Sequence, residues 1–222
     1  MPIDPHSAGE PQRSIPFSRE RDTRICWLLD SHPVTAAMLV TLGWFPTRGK
    51  TLKRLRRLAT RHRIRFVGTV ARKPGRPEHV YCRWRVKPDQ LLHEVELTEL
   101  CLRLDAGTIH RGPHATDAHI RPDAEVGING QRYYLELDRG TMGYAQIAGR
   151  FRLYENCPHL SLWVCNTRAR REGLRSRAER VRHTTLFATR AEVLADPHGP
   201  VWWDYAGQIA ALPRESRASE SG

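Results

Sequence analysis

The tightest folding constraint in this sequence is the Asn129-Gly130 pair, which separates the segments IRPDAEVGI and QRYYLELD. Both segments alternate apolar and polar residues, and Asn-Gly favours the positive φ angles of a two-residue hairpin turn. Such a turn fixes the register of the whole hairpin and sets Asp123 directly opposite Glu136. The sequence therefore predicts an antiparallel hairpin with two carboxylates opposed across it.

The two faces of this hairpin differ in polarity. Alternation places Glu125 and Asp138 on the same face as Asp123 and Glu136. The other face carries apolar side chains: Val126, Ile128, Tyr133, Leu135 and Leu137. Opposed carboxylates repel each other, so the acidic face calls for a compensating cation such as Mg²⁺. The alternative, which stays open at this point, is an ordinary solvent-facing polar face.

The net charge of +12 is concentrated in one segment. No acidic residue occurs between Asp30 and Glu78, whereas twelve Lys or Arg residues lie from Arg48 to Arg76. Outside this segment the charges cancel. A charge excess confined in this way is typical of binding to a polyanion, and double-stranded DNA is the expected partner. A solvated charged helix is the alternative, although such helices usually carry acids that pair with their basic residues.

The basic segment belongs to a predicted winged helix-turn-helix domain over residues 19–88. Three helices are expected, the third from 49 to 64 with Thr47 as its N-cap, followed by strands over 65–71 and 79–86 around a Pro/Gly tip. The third helix would enter the major groove while the tip contacts phosphates. The residues expected to contact DNA are Arg48, Lys50, Lys53, Arg54, Arg57, Arg61, Arg72, Lys73 and Arg76.

A second domain is predicted over residues 89–212. The element order α, β, β, α, β, α, β indicates a small mixed sheet flanked by helices, so the fold class expected for the chain is α+β. The helix after the hairpin carries Gln146, Arg150 and Tyr154 at i,i+4 spacing, on one side. Both ends, 1–18 and 213–222, are rich in Ser and charge and are predicted to be disordered tails.

The acidic motifs resemble those of known DNA-processing proteins. Pro122-Asp123, followed on the next strand by Glu136-x-Asp138, resembles the PD-(D/E)XK nuclease superfamily. With a winged helix before them, IRPDAEVGI and YYLELDRGT resemble the replication-relaxation family of bacterial plasmids and other mobile elements, over about residues 20–205. The resemblance implies a restriction-endonuclease-like core in the second domain.

That resemblance also implies roles for individual residues. Asp123 and Glu136 would bind Mg²⁺, with the Leu137 carbonyl as a further ligand. The catalytic group would consist of Asp123, Glu136, Asp138, Gln146 and Arg150.

The chain departs from the superfamily pattern at one position. Asp138 stands where the motif has its lysine, and no lysine follows Lys87. Arginine does not readily lose a proton, so it cannot replace lysine as a base. Two functions therefore stay open: a metal-dependent DNA endonuclease of plasmid or mobile-element replication or maintenance, and a non-enzymatic DNA-binding regulator or scaffold on a degenerate nuclease fold.

Other features bear on partners and location. Arg171, Arg175 and Arg182 line one face of a predicted Arg-rich helix from Arg168 to His183, a candidate second surface for nucleic acid or an acidic partner. A protein partner or a homodimer stays open. The five cysteines lie in apolar runs without a CxxC pair, and no apolar stretch approaches the roughly 20 residues of a membrane span. A cytoplasmic protein without membrane contact is expected.

Overall fold

The computed structural model describes residues 19–71, 76–106, 109–111, 120–178, 181 and 185–213. The fold is mixed α and β, as predicted, and it divides into two compact units, Met1–Glu99 and Leu100–Gly222. Residues 1–18 and 214–222 of the predicted tails lie outside the described residues.

The first unit combines three helices with a three-stranded antiparallel sheet of order β1-β3-β2. Its elements are α1 (Arg19–Ser31), β1 (Val34–Thr35), α2 (Ala36–Thr41), α3 (Arg48–Thr60), β2 (Arg65–Val70) and β3 (Glu78–Cys82). A 3-10 turn (Pro88–Gln90) leads into α4 (Leu91–Arg103), within which the two units divide. The helix α2 begins only at Ala36, because Val34 and Thr35 pair with β3 and the Thr35 side chain caps the helix.

The local sequence explains where α3 begins, packs and ends. The Thr47 hydroxyl oxygen accepts a hydrogen bond from the Lys50 backbone N–H at 3.3 Å, which satisfies a free helix donor. Leu55 and Leu58 are fully buried, as their helical spacing predicts. The helix ends at Thr60 rather than at the predicted Ile64, since His62 adopts a positive φ of 54°.

The second unit is built on a seven-stranded mixed sheet of order β10-β9-β8-β7-β6-β5-β4, in which only β6, β7 and β8 run parallel to one another. Its elements after α4 are β4 (Ile109–Arg111), β5 (Ala124–Ile128), β6 (Gln131–Asp138), α5 (Tyr144–Leu153), β7 (Leu160–Cys165), α6 (Arg168–Arg175), β8 (Thr185–Thr189), α7 (Arg190–Ala195), β9 (Trp202–Trp203) and β10 (Ile209–Ala210). The sequence patterns predict neither α7 nor the short edge strands β4, β9 and β10.

The hairpin of β5 and β6 has the predicted register. Ala124 lies opposite Leu135, and the register closes at the turn with Ile128 opposite Gln131. Asn129 and Gly130 both adopt positive φ, 51° and 76°, as a two-residue turn of this kind requires. The same register, continued by one residue, sets Asp123 against Glu136.

The acidic face of the hairpin is buried. Glu136 and Asp138 are each 2% exposed, and Ile147 and Phe151 of α5 belong to the same buried cluster as Tyr134, the β6 residue on this face. The alternative of a solvent-facing polar face is therefore wrong. Alternation in the sequence indicates which side chains share a face of the sheet, but it does not indicate that α5 packs over that face.

Candidate functional site

The centre of the acidic face is a hydrogen-bonded cluster around Glu136. The Arg150 guanidinium donates to both Glu136 carboxylate oxygens, with Nη2–Oε1 2.6 Å, Nη2–Oε2 2.8 Å and Nε–Oε2 3.1 Å. The Tyr154 hydroxyl also donates to Oε1. The predicted i,i+4 relation of Arg150 and Tyr154 thus brings both side chains onto one carboxylate, because α5 lies across the strand that carries it.

Asp123 adds a second negative charge beside this cluster. Its Oδ2 accepts a hydrogen bond from the Leu137 backbone N–H at 2.8 Å. Burial, followed by repulsion from Asp123, raises the pKa of Glu136 to about 8, although Arg150 and Tyr154 act in the opposite direction. Burial also raises the pKa of Tyr154, and the neighbouring Glu136 raises it further, which keeps the phenol a hydrogen-bond donor.

Asp138, the second acidic residue of β6, has its own cationic partner. Arg170 of α6 donates to both Asp138 oxygens, at 2.6 Å from Nε and 3.3 Å from Nη2, and the backbone N–H of Gly140 donates to Oδ1 at 2.9 Å. Arg170 also donates to the Met142 carbonyl at 2.7 Å and lies 4.5 Å from the centroid of the Tyr144 ring. This carboxylate holds α6 and the loop after β6 together.

In this arrangement, protein donors occupy oxygens of the two carboxylates that are predicted to bind Mg²⁺. Magnesium prefers a few carboxylate oxygens together with water. Both oxygens of Glu136 contact Arg150, and Oδ2 of Asp123 contacts a backbone N–H. Among the described residues, no group of three or more His, Cys, Asp or Glu side chains is arranged to hold a metal ion. The positive charge beside the acidic pair comes from a guanidinium.

Gln146 lies away from the cluster that its spacing predicts. Its Oε1 accepts a hydrogen bond from the Gly143 backbone N–H at 3.1 Å, and the residue is exposed. Gln146 lies in the first turn of α5, so its side chain bonds the Gly143 N–H at the start of the helix and does not extend to Glu136. The expectation that Gln146 joins the acidic site is wrong for this structure.

Four of the predicted DNA-contacting residues form one exposed basic face along α3. Lys50, Lys53, Arg57 and Arg61 follow one another at intervals of three or four residues, so they lie on one side of the helix. All four are exposed, and none of them makes an ion pair within the part of the chain that the structure describes. The stripe that contains Leu55 lies on a different, buried side.

The other predicted DNA-contacting residues do not belong to this face. Arg54 donates to Oδ1 of buried Asp22 at 2.6 Å, so it serves the packing of α3 on α1. Arg48 is half exposed and pairs with Glu78 at 3.1 Å. Arg76 is exposed. Arg72 and Lys73 lie outside the described residues.

The Arg-rich α6 differs from its predicted role. Arg171 is buried, pairs with Glu192 at 3.0 Å and stacks on the Trp203 ring at 4.5 Å. Arg175 donates to the Asp204 carbonyl at 2.8 Å. The prediction that these two arginines form a phosphate-binding face is wrong, because both side chains hold α6 against the rest of the unit. Arg182 lies outside the described residues.

The sequence patterns miss two features of these sites. The pairing of Arg170 with Asp138 has no local signal, since 32 residues separate them. Phe66 does carry a signal, because an aromatic residue directly follows a run of basic residues at the start of β2. Its ring is half exposed in the structure.

None of the described helices has the length and apolar character required to cross a membrane. No protein-family model, no curated protein and no solved structure matches this chain.

Proposed function

We propose that this chain is a DNA-binding protein of plasmid or mobile-element replication or maintenance. The first unit acts as a winged helix-turn-helix on duplex DNA. The second unit is a nuclease-like fold whose acidic site is neutralised by arginine, so that it serves as a regulator or scaffold. The observation that carries the proposal is the exposed basic face of α3, formed by Lys50, Lys53, Arg57 and Arg61.

The geometry of the first unit supports this function. Three helices precede the β2-β3 hairpin, and the third helix presents its basic face to solvent while Leu55 and Leu58 anchor it. A helix of this width fits the major groove, and its cations displace counterions from phosphates. Four such contacts predict a slope of about −3.6 for log affinity against log salt.

The test is duplex binding, measured by fluorescence anisotropy over a series of salt concentrations. Lys53→Gln and Arg57→Gln should each weaken binding and reduce the salt slope by about 1. Arg24→Gln is the matched control, because Arg24 is a partly exposed cation of α1 that pairs with Glu20. Unchanged slopes in the two α3 variants, or an equal change in the control, would rule out the basic face as the interface.

A metal-dependent endonuclease is the second candidate, favoured by the register that sets Asp123 beside Glu136. Incubation of supercoiled plasmid with Mg²⁺ and with Mn²⁺ separates the two functions. Asp123→Asn is the informative variant, since the amide oxygen can still accept the Leu137 hydrogen bond. We expect binding without cutting. Nicking by the unaltered protein that disappears in Asp123→Asn, with DNA binding retained, would instead establish the endonuclease.

A further inference from the structure

A cleft of about 440 Å³ lies beside the basic face, between α3 and β3. Arg48 and Leu52 line it from the helix, while Glu78 and His79 line it from the strand. Its volume falls within the roughly 300–1,000 Å³ that small organic ligands occupy in proteins. The cleft is therefore large enough for a planar base and part of its sugar.

A pair of contacting aromatic rings, of which Phe66 is the exposed one, adjoins this cleft. The Phe66 ring is 51% exposed and lies 5.2 Å from the His79 ring, centroid to centroid. Tyr81, itself buried, contacts Phe66 edge-on at 5.9 Å. A single exposed apolar side chain is ordinary in proteins. This one is held in place by two neighbouring rings and presents an aromatic surface beside a basic groove.

The polar groups of the cleft match the rest of a nucleotide. Arg48 and Arg76 supply positive charge at its rim. Oε1 of Glu78 pairs with Arg48, whereas its buried Oε2 has no hydrogen-bond partner among the described residues. An unsatisfied buried acceptor is costly, and an N–H group of a DNA base would satisfy it. Positive charge, an aromatic surface and an unsatisfied hydrogen-bond acceptor therefore occur together at this cleft.

We infer that this cleft binds an unpaired DNA base, which stacks on the exposed Phe66 ring next to His79 while its flanking phosphates contact Arg48 and Arg76. This inference rests on the proposed DNA-binding function and specifies its substrate: DNA that contains an unpaired segment. The bases of an intact duplex are stacked on one another, so their faces cannot reach the aromatic pair. The basic face of α3 would hold the adjoining duplex.

The test compares a short duplex with the same duplex carrying a central run of mismatched bases. Phe66→Ala should weaken binding to the mismatched DNA by about 5- to 140-fold, the value of one stacked base, and change binding to the intact duplex by less than about twofold. Phe66→Tyr, which keeps an aromatic ring, should retain the preference. Thermal melting of each variant shows that the unit stays folded.

Trp27→Ala is the control, because Trp27 is an equally exposed aromatic residue on α1, at 58%. Its removal should alter binding to neither DNA. Equal affinity of the unaltered protein for the two DNAs, or an equal loss on both in Phe66→Ala, would overturn the inference while leaving duplex binding intact. A protein that binds neither DNA would overturn the proposed function as well.

Discussion

Replacement of Arg150 with Gln should destabilise the second unit by about 3–5 kcal/mol where Glu136 is ionised, because it leaves a buried carboxylate without its counter-charge. Glu136 is 2% exposed and loses three N–H···O contacts of 2.6–3.1 Å. For a unit of this size each kcal/mol lowers the melting temperature by about 4 °C, so the expected loss is about 12–20 °C. Differential scanning calorimetry measures it.

The cost of Arg150→Gln should depend on pH. The pKa of Glu136 is raised to about 8 in the folded state, from 4.5, so its proton stabilises the fold at low pH and this stability is lost as the pH rises through 8. Without Arg150, which lowers this pKa, ionisation becomes harder still. The cost of the variant should therefore grow as the pH rises above about 8 and reach its full value only where Glu136 is ionised in the variant too. Below pH 8 the cost should be smaller, about 1–2 kcal/mol of lost hydrogen bonds.

Arg152→Gln provides the matched control, since Arg152 lies on the same helix and is exposed. It should change the melting temperature by no more than about 2 °C at any pH, as surface substitutions do. If Arg150→Gln were no more destabilising than this control, or cost the same at pH values on both sides of 8, the buried ion pair could not be what organises the acidic face.

Further predictions concern packing in each unit. Arg54→Ala should lower the free energy of unfolding by about 3 kcal/mol in urea titrations, since it leaves the buried Asp22 carboxylate without its counter-charge. The same variant should leave the salt slope of duplex binding unchanged. Gly173→Ala should cost about 1–3 kcal/mol, because its Cβ would lie 2.1 Å from the Tyr144 hydroxyl. In Gly149→Ala on α5, the added Cβ would meet no atom within 4 Å. This variant should instead raise the melting temperature, because alanine favours the helix over glycine by about 0.5–1 kcal/mol.

Much of the local structure follows from the sequence alone. The Asn129-Gly130 turn and the alternation around it determine the hairpin register, because each constraint acts between neighbouring residues. Thr47 likewise determines the start of α3, since its hydroxyl reaches a donor three residues ahead. The edge strand β4 cannot be predicted in this way, because its three residues are too few to show the alternation of a strand and lie in a segment rich in His, Gly and Asp.

The sites depend on contacts between residues far apart in the chain. Composition shows an excess of arginine, but it cannot show that Arg54 pairs with Asp22 or Arg170 with Asp138, each across 32 residues. Nor does alternation reveal that α5 covers Glu136 and supplies its counter-charge. Local patterns determine the secondary structure and register of this protein, because they act along the chain. Which charges face solvent and which neutralise one another is decided only when separate helices and strands pack together.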